Sequence, residues 1–194
     1  MEQYKIILAS NSPRRKELLS GLGIDFEVRV LEGVAESFPN GEDPFCVPEF
    51  IAREKAAAYS VAAGELLITA DTVVIVGNEI LGKPNGHADA CRMLRLLSGK
   101  THHVATGVCL TTATRQKSFT VKTVVTFKDL SEEEIEYYVS KYKPFDKAGA
   151  YGIQEWIGFI GVTGLQGSFY NVMGFPVQRV YEELVNGFGV KIAK

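Results

Sequence analysis

The chain has 194 residues, of which 46% are hydrophobic and 23% are charged, so its composition is that of a folded globular protein and excludes a disordered one. Its 21 Lys and Arg and 23 Asp and Glu residues leave a net charge of −2, which argues against a protein that binds duplex DNA mainly through phosphate contacts. The length favours one domain, or one core with a lobe, over two large domains.

The N-terminal segment predicts a strand, a loop and a helix. Lys5 to Ala9 is an apolar run typical of a buried strand. Ser12 and Pro13 then supply the N-cap and first-turn proline of a helix that continues to about Leu22 and ends at Gly23. The elements predicted next are a strand at 26–31, a helix at 47–63, a strand at 66–76 that turns back into 79–81, and a helix at 87–97.

The second half of the chain predicts a hairpin and two helices. Ser131 and Glu134 form a capping box that opens the first helix, and Gly187 closes the second. Because strands and helices interleave while hairpins also occur, we expect an α/β fold, with a mixed twisted sheet, flanking helices and a single domain, 1–194, with a central cleft. The elements are an antiparallel strand pair at 101–114 and 117–127, a helix from 131 to about 142, and a helix at 176–186.

Residues 156–178 carry no charge and are long enough to span a bilayer, but their five glycines and Pro176 predict turns and short strands instead. The apolar run near the N-terminus is too short for a signal peptide. The three cysteines show no CxxC spacing, which favours reduced thiols over a disulfide framework or a zinc ribbon. We therefore expect a cytoplasmic protein that makes no membrane contact.

The segment from Leu8 to Arg15 is a candidate anion site. A strand that feeds a helix N-terminus presents free backbone N–H groups and the positive end of the helix dipole. Ser10 and two arginines, Arg14 and Arg15, would strengthen such a site. An arginine in the first turn opposes the dipole, so its position is unfavourable unless an anion meets it. An ordinary N-cap with solvated arginines is the alternative.

Lys55 interrupts a stripe that would otherwise be apolar. The stripe runs along the helix predicted at 47–63 with spacings of four, three and four residues. The lysine either reaches past small alanines to solvent or points into a pocket that holds negative charge. The stripe consists of Ile51, Lys55, Ala58 and Ala62.

Asp71 is a single carboxylate in the apolar strand at 66–76. It requires a partner, a metal or a cleft, because an unpaired buried charge is costly. If the strand finishes near Ala70, Asp71 and Thr72 lie at its carboxyl end, where open α/β sheets bind ligands. A structural ion pair is the alternative. Lys83, in a Gly-Lys-Pro turn, is by itself an ordinary surface-loop residue.

Three other patterns do not predict a site. Gly99-Lys100-Thr101 resembles the end of a phosphate-binding loop, but Leu94 occupies the position of the required earlier glycine. The glycines at 158, 161, 164 and 167 do not form a dinucleotide-binding fingerprint. No two of the three histidines have a convincing metal-ligand spacing.

Seven segments in order closely resemble the Maf family of nucleoside triphosphate pyrophosphatases, and they cover nearly the whole chain. The resemblance implies a house-cleaning cytoplasmic enzyme that cleaves a nucleoside triphosphate between the α and β phosphates, uses a divalent cation (Mg²⁺ or Mn²⁺) and forms a homodimer. No nucleic-acid partner is expected. The segments are LASNSPRR (8–15), AREKA (52–56), ADTVV (70–74), GKP (82–84), SGKTHHV (98–104), DKAGAYGIQ (146–154) and GSFYNVMGFP (167–176).

The resemblance also assigns roles to individual residues. Asp71 matches the proton acceptor, and we expect it to act with Glu36 around the metal. A free aspartate, with a pKa near 3.9, is a weak base at neutral pH, but a divalent cation acidifies the water to be deprotonated. Phe175 stands where the family commonly has leucine, which we expect to alter packing only. The matched site positions are Ser10, Arg14, Glu36, Lys55, Asp71 and Lys83, with Lys55 and Lys83 as catalytic cations.

Arg14, Thr72 and Gln154 resemble the trio found in the branch of the family that acts on dTTP and UTP. An amide can accept a hydrogen bond from N3–H of thymine or uracil and donate one to a carbonyl. The same amide, flipped, suits cytosine, so Gln154 needs orienting neighbours before it discriminates. The alternatives are a pyrophosphatase that prefers 7-methyl-GTP and a non-hydrolytic nucleotide-binding regulator of septum formation.

Overall fold

The computed structural model describes residues 4–34, 37–39 and 41–191, and these residues form an α/β fold with a seven-stranded mixed sheet. The strands are β1 (Lys5–Leu8), β2 (Phe26–Val28), β3 (Glu65–Val76), β4 (Glu79–Leu81), β5 (Thr101–Thr111), β6 (Gln116–Phe127) and β7 (Val162–Gln166). Their order is β2-β1-β3-β5-β6-β7, and β4 pairs with β3. β1 is parallel to β2 and β3, whereas the β3–β4 and β6–β7 pairs are antiparallel. The predicted α/β fold with a mixed sheet is confirmed.

The helices accompany the strands largely as predicted. The capping box of the fourth helix is present, because Ser131 Oγ accepts from the Glu134 N–H (3.2 Å) and the Glu134 carboxylate accepts from the Ser131 N–H (2.9 Å). The helices are α1 (Pro13–Ser20), α2 (Val47–Ala57), α3 (His87–Leu97), α4 (Glu132–Tyr142), α5 (Trp156–Gly161), α6 (Phe169–Val172) and α7 (Val177–Glu182), and a π-helical turn, Glu183–Gly187, follows α7.

The helix predicted at 47–63 is too long, since α2 ends at Ala57. The N–H groups of Ala58 and Tyr59 bond to carbonyls only three residues back, so the last turn tightens. The Tyr59 hydroxyl then donates to the Arg29 carbonyl (3.2 Å) and accepts from the Leu31 N–H (3.0 Å). These tertiary bonds hold the chain after β2 and redirect it after α2, which local propensity does not reveal.

The uncharged stretch at 156–178 contains two short helices, α5 and α6, as well as strand β7. The prediction of turns and short strands is therefore wrong for the helical parts. Ile157 of α5 is fully buried, and its packing outweighs the low helix propensity of the neighbouring glycines. None of the helices in the described ranges is both long and apolar enough to span a membrane.

The chain forms two compact units. Unit 1 comprises Met1–Asp71, Thr106–Val121 and Gly174–Lys194, and unit 2 comprises Thr72–Ala105 and Lys122–Met173. The boundaries fall within β3, β5 and β6, so each of these strands contributes residues to both units. The single domain with a central cleft stays a prediction.

In unit 1, alternate side chains of β3 pack on opposite faces of the sheet, as the period of a strand requires. Its even-numbered residues join a cluster with α1 and α7, whereas the odd-numbered Leu67 joins a second cluster with Ala52 and Ala56 of α2. Residue 71 is also odd-numbered, so its side chain points to the face that α2 covers. The first cluster includes Leu19, Leu66, Ile68, Ala70, Val180 and Leu184.

Helix α2 lies directly against the sheet at Gly107 of β5. A Cβ atom at this position would come within 2.2 Å of the Pro48 carbonyl carbon and the Glu49 nitrogen, so only glycine permits the approach. The Glu49 carboxylate also accepts hydrogen bonds from the hydroxyls of Ser118 (2.7 Å) and Thr120 (3.0 Å) on β6. These contacts fix the position of the helix that carries Lys55.

The core of unit 2 packs α3, α4 and α5 against strand residues, including Val74 and Phe127. His102 lies inside this core with its ring edge-on to Phe127, and its Nε2 is 2.8 Å from the Tyr151 hydroxyl. Burial lowers the pKa of His102 to about 4, so the imidazole is neutral near pH 7. It serves as a core residue and not as a catalytic acid.

Candidate active site

Asp71 lies inside β3 and not at the carboxyl end of a strand, so the expectation that the strand finishes near Ala70 is wrong. The strand continues because residues 74–76 pair with β4 in an antiparallel ladder. Its main chain is therefore held on both sides of the carboxylate. The residue is buried, with 9% of its surface exposed.

Lys55 meets this carboxylate directly. Its Nζ lies 2.8 Å from Asp71 Oδ1, and the two side chains are 15% and 13% exposed. Each charge compensates the burial cost of the other. The alternative in which Lys55 only reaches past alanines to solvent is therefore wrong, and the ion pair considered for Asp71 is present. One turn earlier on α2, the Ala52 carbonyl accepts from Thr69 Oγ1 (2.6 Å), which fixes the register of the helix on the strand.

The prediction of an apolar stripe on α2 is confirmed from Ile51 to Lys55 but is wrong for the residues after Lys55. Ile51 is buried, but Ala58 and Ala62 are exposed, because the helix has already ended. The residues that α2 does bury are Val47, Pro48, Ile51, Ala52 and Ala56.

The N-terminus of α1 is built as predicted. Ser12 is its N-cap and accepts from the Arg15 N–H (3.4 Å), and Pro13 occupies the first turn. The Ser10 hydroxyl is buried and accepts from the Ser12 N–H (3.2 Å). Arg14 is half-buried in the first turn. Ser10, Arg14, Lys55 and Asp71 all belong to unit 1.

Arg15 has a structural role that the sequence did not reveal. Its Nε donates to the Gly174 carbonyl (2.9 Å), and its Nη1 donates to the Ala70 carbonyl (2.9 Å), one residue before Asp71. The same Nη1 lies 3.5 Å from Ser10 Oγ. Neighbouring residues on a helix point about 100° apart, so the sides of α1 to which Arg14 and Arg15 project differ. This difference in direction is the sequence signal that could have distinguished the two arginines. Arg15 holds the backbone beside the Lys55–Asp71 pair.

Thr72, Lys83 and Gln154 belong to unit 2. Thr72 follows Asp71 on β3 and is half-buried, and Lys83 is exposed. The carbonyl next to Lys83, that of Gly82, accepts from the Gly149 N–H (3.0 Å). Gly149 has φ 69°, and a Cβ there would lie 2.8 Å from Val74 Cγ2. The segment before Gln154 is thus packed tightly and supports the turn that carries Lys83.

Buried polar side chains hold the residues on either side of Gln154. The Tyr138 hydroxyl donates a short hydrogen bond to Glu155 Oε2 and accepts from the Gly152 N–H (3.0 Å). Lys147 Nζ lies 3.2 Å from Glu155 Oε1. Burial and the Glu155 carboxylate raise the pKa of Tyr138, so its hydroxyl keeps its proton. This network fixes Gly152 and Glu155, which lie on either side of Gln154 in the chain.

The Oε1 atom of Gln154 is buried and has no hydrogen-bond partner among the described residues. Buried acceptors are normally satisfied, and an unmet one carries a desolvation cost. A ligand that offers an N–H at this atom would remove the cost.

Glu36, predicted as a metal ligand, lies outside the described residues. Of the predicted pair, Asp71 provides a carboxylate, which is the type of ligand that Mg²⁺ and Mn²⁺ prefer. Mg²⁺ is commonly held by one or two carboxylates together with substrate phosphates. The donor chemistry at Asp71 fits such an ion.

The family profile described as "Maf-like protein" matches residues 5–186. A dTTP/UTP pyrophosphatase of Phocaeicola vulgatus is 61% identical over 186 residues, which cover 95% of this chain and 96% of that protein. A dTTP/UTP pyrophosphatase of Porphyromonas gingivalis is 55% identical over 188 residues, covering 95% and 94% of the two chains. A solved nucleoside-triphosphatase, a dITP/XTP pyrophosphatase of Mycobacterium abscessus, is 14% identical with a TM-score of 0.44, covering 95% of this chain and 97% of that one.

Proposed function

Because the chain belongs to the Maf-like protein family, we propose that it hydrolyses nucleoside triphosphates to the monophosphate and pyrophosphate. The preferred substrates in this proposal are dTTP and UTP. The observation that carries the proposal is the Lys55–Asp71 pair, in which a cation and a buried carboxylate lie 2.8 Å apart. The relatives at 61% and 55% identity support the choice of substrate.

In the proposed reaction, water attacks the α phosphorus and gives its proton to the Asp71 carboxylate. The bond from phosphorus to the α–β bridging oxygen breaks, and the electron pair leaves with pyrophosphate. Lys55 orients Asp71 and offers its ammonium group to the phosphates. Ser10, Arg14 and the N–H groups of α1 bind phosphate oxygens, since preorganised donors stabilise the charge that develops in such reactions.

We propose that Asp71 and Glu36 hold a divalent cation, Mg²⁺ or Mn²⁺, which when bound neutralises phosphate charge and acidifies water. Lys83 is proposed as a further catalytic cation, and Thr72 as a contact to the nucleoside. These three roles follow from the family resemblance.

The function is tested with purified protein, Mg²⁺ or Mn²⁺, and a panel of triphosphates that includes dTTP, UTP, CTP and 7-methyl-GTP. We expect release of pyrophosphate, fastest with dTTP and UTP. Release of orthophosphate would contradict the cleavage position, and a preference for 7-methyl-GTP would contradict the substrate. Tight binding in calorimetry with no product would identify a nucleotide-binding regulator instead.

We propose that the Gln154 amide recognises the nucleobase of the substrate. Thymine and uracil present N3–H to the unmet Oε1 atom, whereas cytosine has an acceptor at that position. Gln154→Ala should lower kcat/KM for UTP by about tenfold, the value of one well-placed hydrogen bond, and change kcat/KM for CTP much less. Gln178→Ala, at an exposed amide on α7, is the matched control and should change neither. Equal losses for UTP and CTP would remove Gln154 from base selection.

A homodimer and a cytoplasmic location are also proposed, both from the family resemblance. Light scattering on the purified protein measures the mass in solution, and a monomer at micromolar concentration would contradict the first of them.

A further inference from the structure

Three side chains of types that can bind a metal lie together where α3 and α4 of unit 2 meet, and of these His87 and Glu136 are exposed while Cys91 is buried. His87 and Cys91 are one turn apart on α3, and Glu136 comes from α4. One potential ligand atom from each residue lies within 4.8 Å of the other two. Neither the proposed reaction nor the family resemblance uses any of the three.

The two helices are held in antiparallel register by contacts spaced four residues apart. Arg95 donates to both carboxylate oxygens of Glu132, from Nε to Oε1 (2.9 Å) and from Nη2 to Oε2 (2.8 Å). One turn along, Cys91 Sγ lies 3.8 Å from Glu136 Oε2, and at the next turn His87 Nε2 lies 3.3 Å from the hydroxyl of Ser140. All three groups are therefore carried by two helices that pack against the same core.

The three side chains already contact one another. His87 Nε2 lies 3.0 Å from Glu136 Oε1, and Cys91 Sγ lies 3.7 Å from His87 Nδ1 and 3.8 Å from Glu136 Oε2. In the tautomer protonated at Nε2, Nδ1 carries a lone pair that can bind a cation. The sulfur, nitrogen and carboxylate donors are therefore close enough to share one ion.

We propose that Cys91 Sγ, His87 Nδ1 and one carboxylate oxygen of Glu136 bind a soft divalent cation, with Zn²⁺ as the natural ligand, and that water completes the coordination. Zinc bonds of about 2.3 Å to sulfur and about 2.0–2.2 Å to nitrogen and oxygen place tetrahedral ligand atoms about 3.5 Å apart, close to the 3.7 and 3.8 Å separations. When the Glu136 carboxylate turns to the cation, its present contact with His87 Nε2 (3.0 Å) is released, and the Ser140 hydroxyl, 3.3 Å from Nε2, remains as the outer contact that orients the imidazole.

Binding releases the thiol proton to solvent, since the thiolate is the ligand. The dication then meets two negative charges, from the thiolate and the carboxylate, and a neutral imidazole, so the site is neutral overall. Mg²⁺ and Mn²⁺ prefer oxygen ligands, so a thiolate selects against them. The proposed site is therefore distinct in chemistry from the one assigned to Asp71.

The experiment titrates the full-length protein with Zn²⁺ by calorimetry in the presence of excess Mg²⁺, and with Co²⁺ by absorption. We expect one Zn²⁺ per chain and a thiolate-to-cobalt band in the near ultraviolet. Cys91→Ser should abolish the band and weaken Zn²⁺ binding by at least about tenfold, as should His87→Gln and Glu136→Gln for binding. Cys46→Ser, at an exposed thiol, is the matched control and should retain both.

The histidine and glutamate variants keep the proposal testable if Cys91→Ser destabilises the fold, because their side chains are 46% and 59% exposed. The proposal is overturned if the unaltered protein binds no Zn²⁺, if Co²⁺ binds without a thiolate band, or if Cys91→Ser binds Zn²⁺ as tightly as the parent. None of these readouts depends on pyrophosphatase activity.

Discussion

Asp71→Asn is expected to lower the rate of pyrophosphate release from dTTP by about 10²–10⁴-fold, the range for loss of a general base. Asparagine has nearly the same shape as aspartate. In the parent protein Lys55 Nζ lies 2.8 Å from Asp71 Oδ1, and the amide oxygen of asparagine can still accept a hydrogen bond from Lys55. It cannot accept the proton of the attacking water. The loss should therefore fall on kcat, with a smaller change in KM, as measured by a coupled pyrophosphate assay.

The control for this variant is Asp25→Asn, which removes an exposed carboxylate of the same unit. Thermal unfolding should show that Asp71→Asn remains folded but is less stable than the parent, because the Lys55 ammonium loses its charged partner and keeps only an amide oxygen as acceptor. Wild-type activity in folded Asp71→Asn would contradict the assignment of the base.

Replacement of Lys55 is expected to have the second largest effect, and to act on stability as well as on activity. Lys55→Met keeps the apolar stem but leaves Asp71 without its ammonium partner in a site where only 13% of the aspartate side chain is exposed. Breaking a buried pair costs about 3–5 kcal/mol, and residual exposure places this one at the lower end. The rate of pyrophosphate release should fall about 10²–10³-fold, which is the range for losing one hydrogen-bond donor to the negative charge that develops in the transition state.

The double variant Lys55→Met, Asp71→Asn separates the two effects. If the stability loss in Lys55→Met comes from an uncompensated carboxylate, removing that charge should recover part of the free energy of unfolding, measured in urea, while activity stays low. Arg53→Met, at an exposed position on the same helix, is the control and should retain activity and stability. A double variant less stable than Lys55→Met would show that the pair is not coupled in this way.

Local patterns were sufficient to predict α3, α4 and the start of α1, which carries Arg14. The Ser12-Pro13 start of α1, the capping box of α4 and both ends of α3 are read from short-range chemistry, and the structure confirms them. The patterns failed where distant contacts decide the outcome. Helix α2 stops at Ala57 because of bonds made by Tyr59, and α5 forms in a glycine-rich stretch because Ile157 is buried.

The sequence by itself determined the fold class, the identity of the charged residues and the family, because periodicity, capping and ordered motifs are written along the chain. Only the tertiary structure decided which charges meet. The apolar surroundings of Lys55 and Asp71 predicted that each needs a partner, but not that the partner of each is the other. Their pairing depends on where α2 lies on the sheet, which Gly107 and Glu49 fix through contacts far apart in sequence. The same physical reason separates Arg15 from Arg14 and unites His87 with Cys91 and Glu136: side-chain direction and helix packing are three-dimensional properties that spacing alone does not specify.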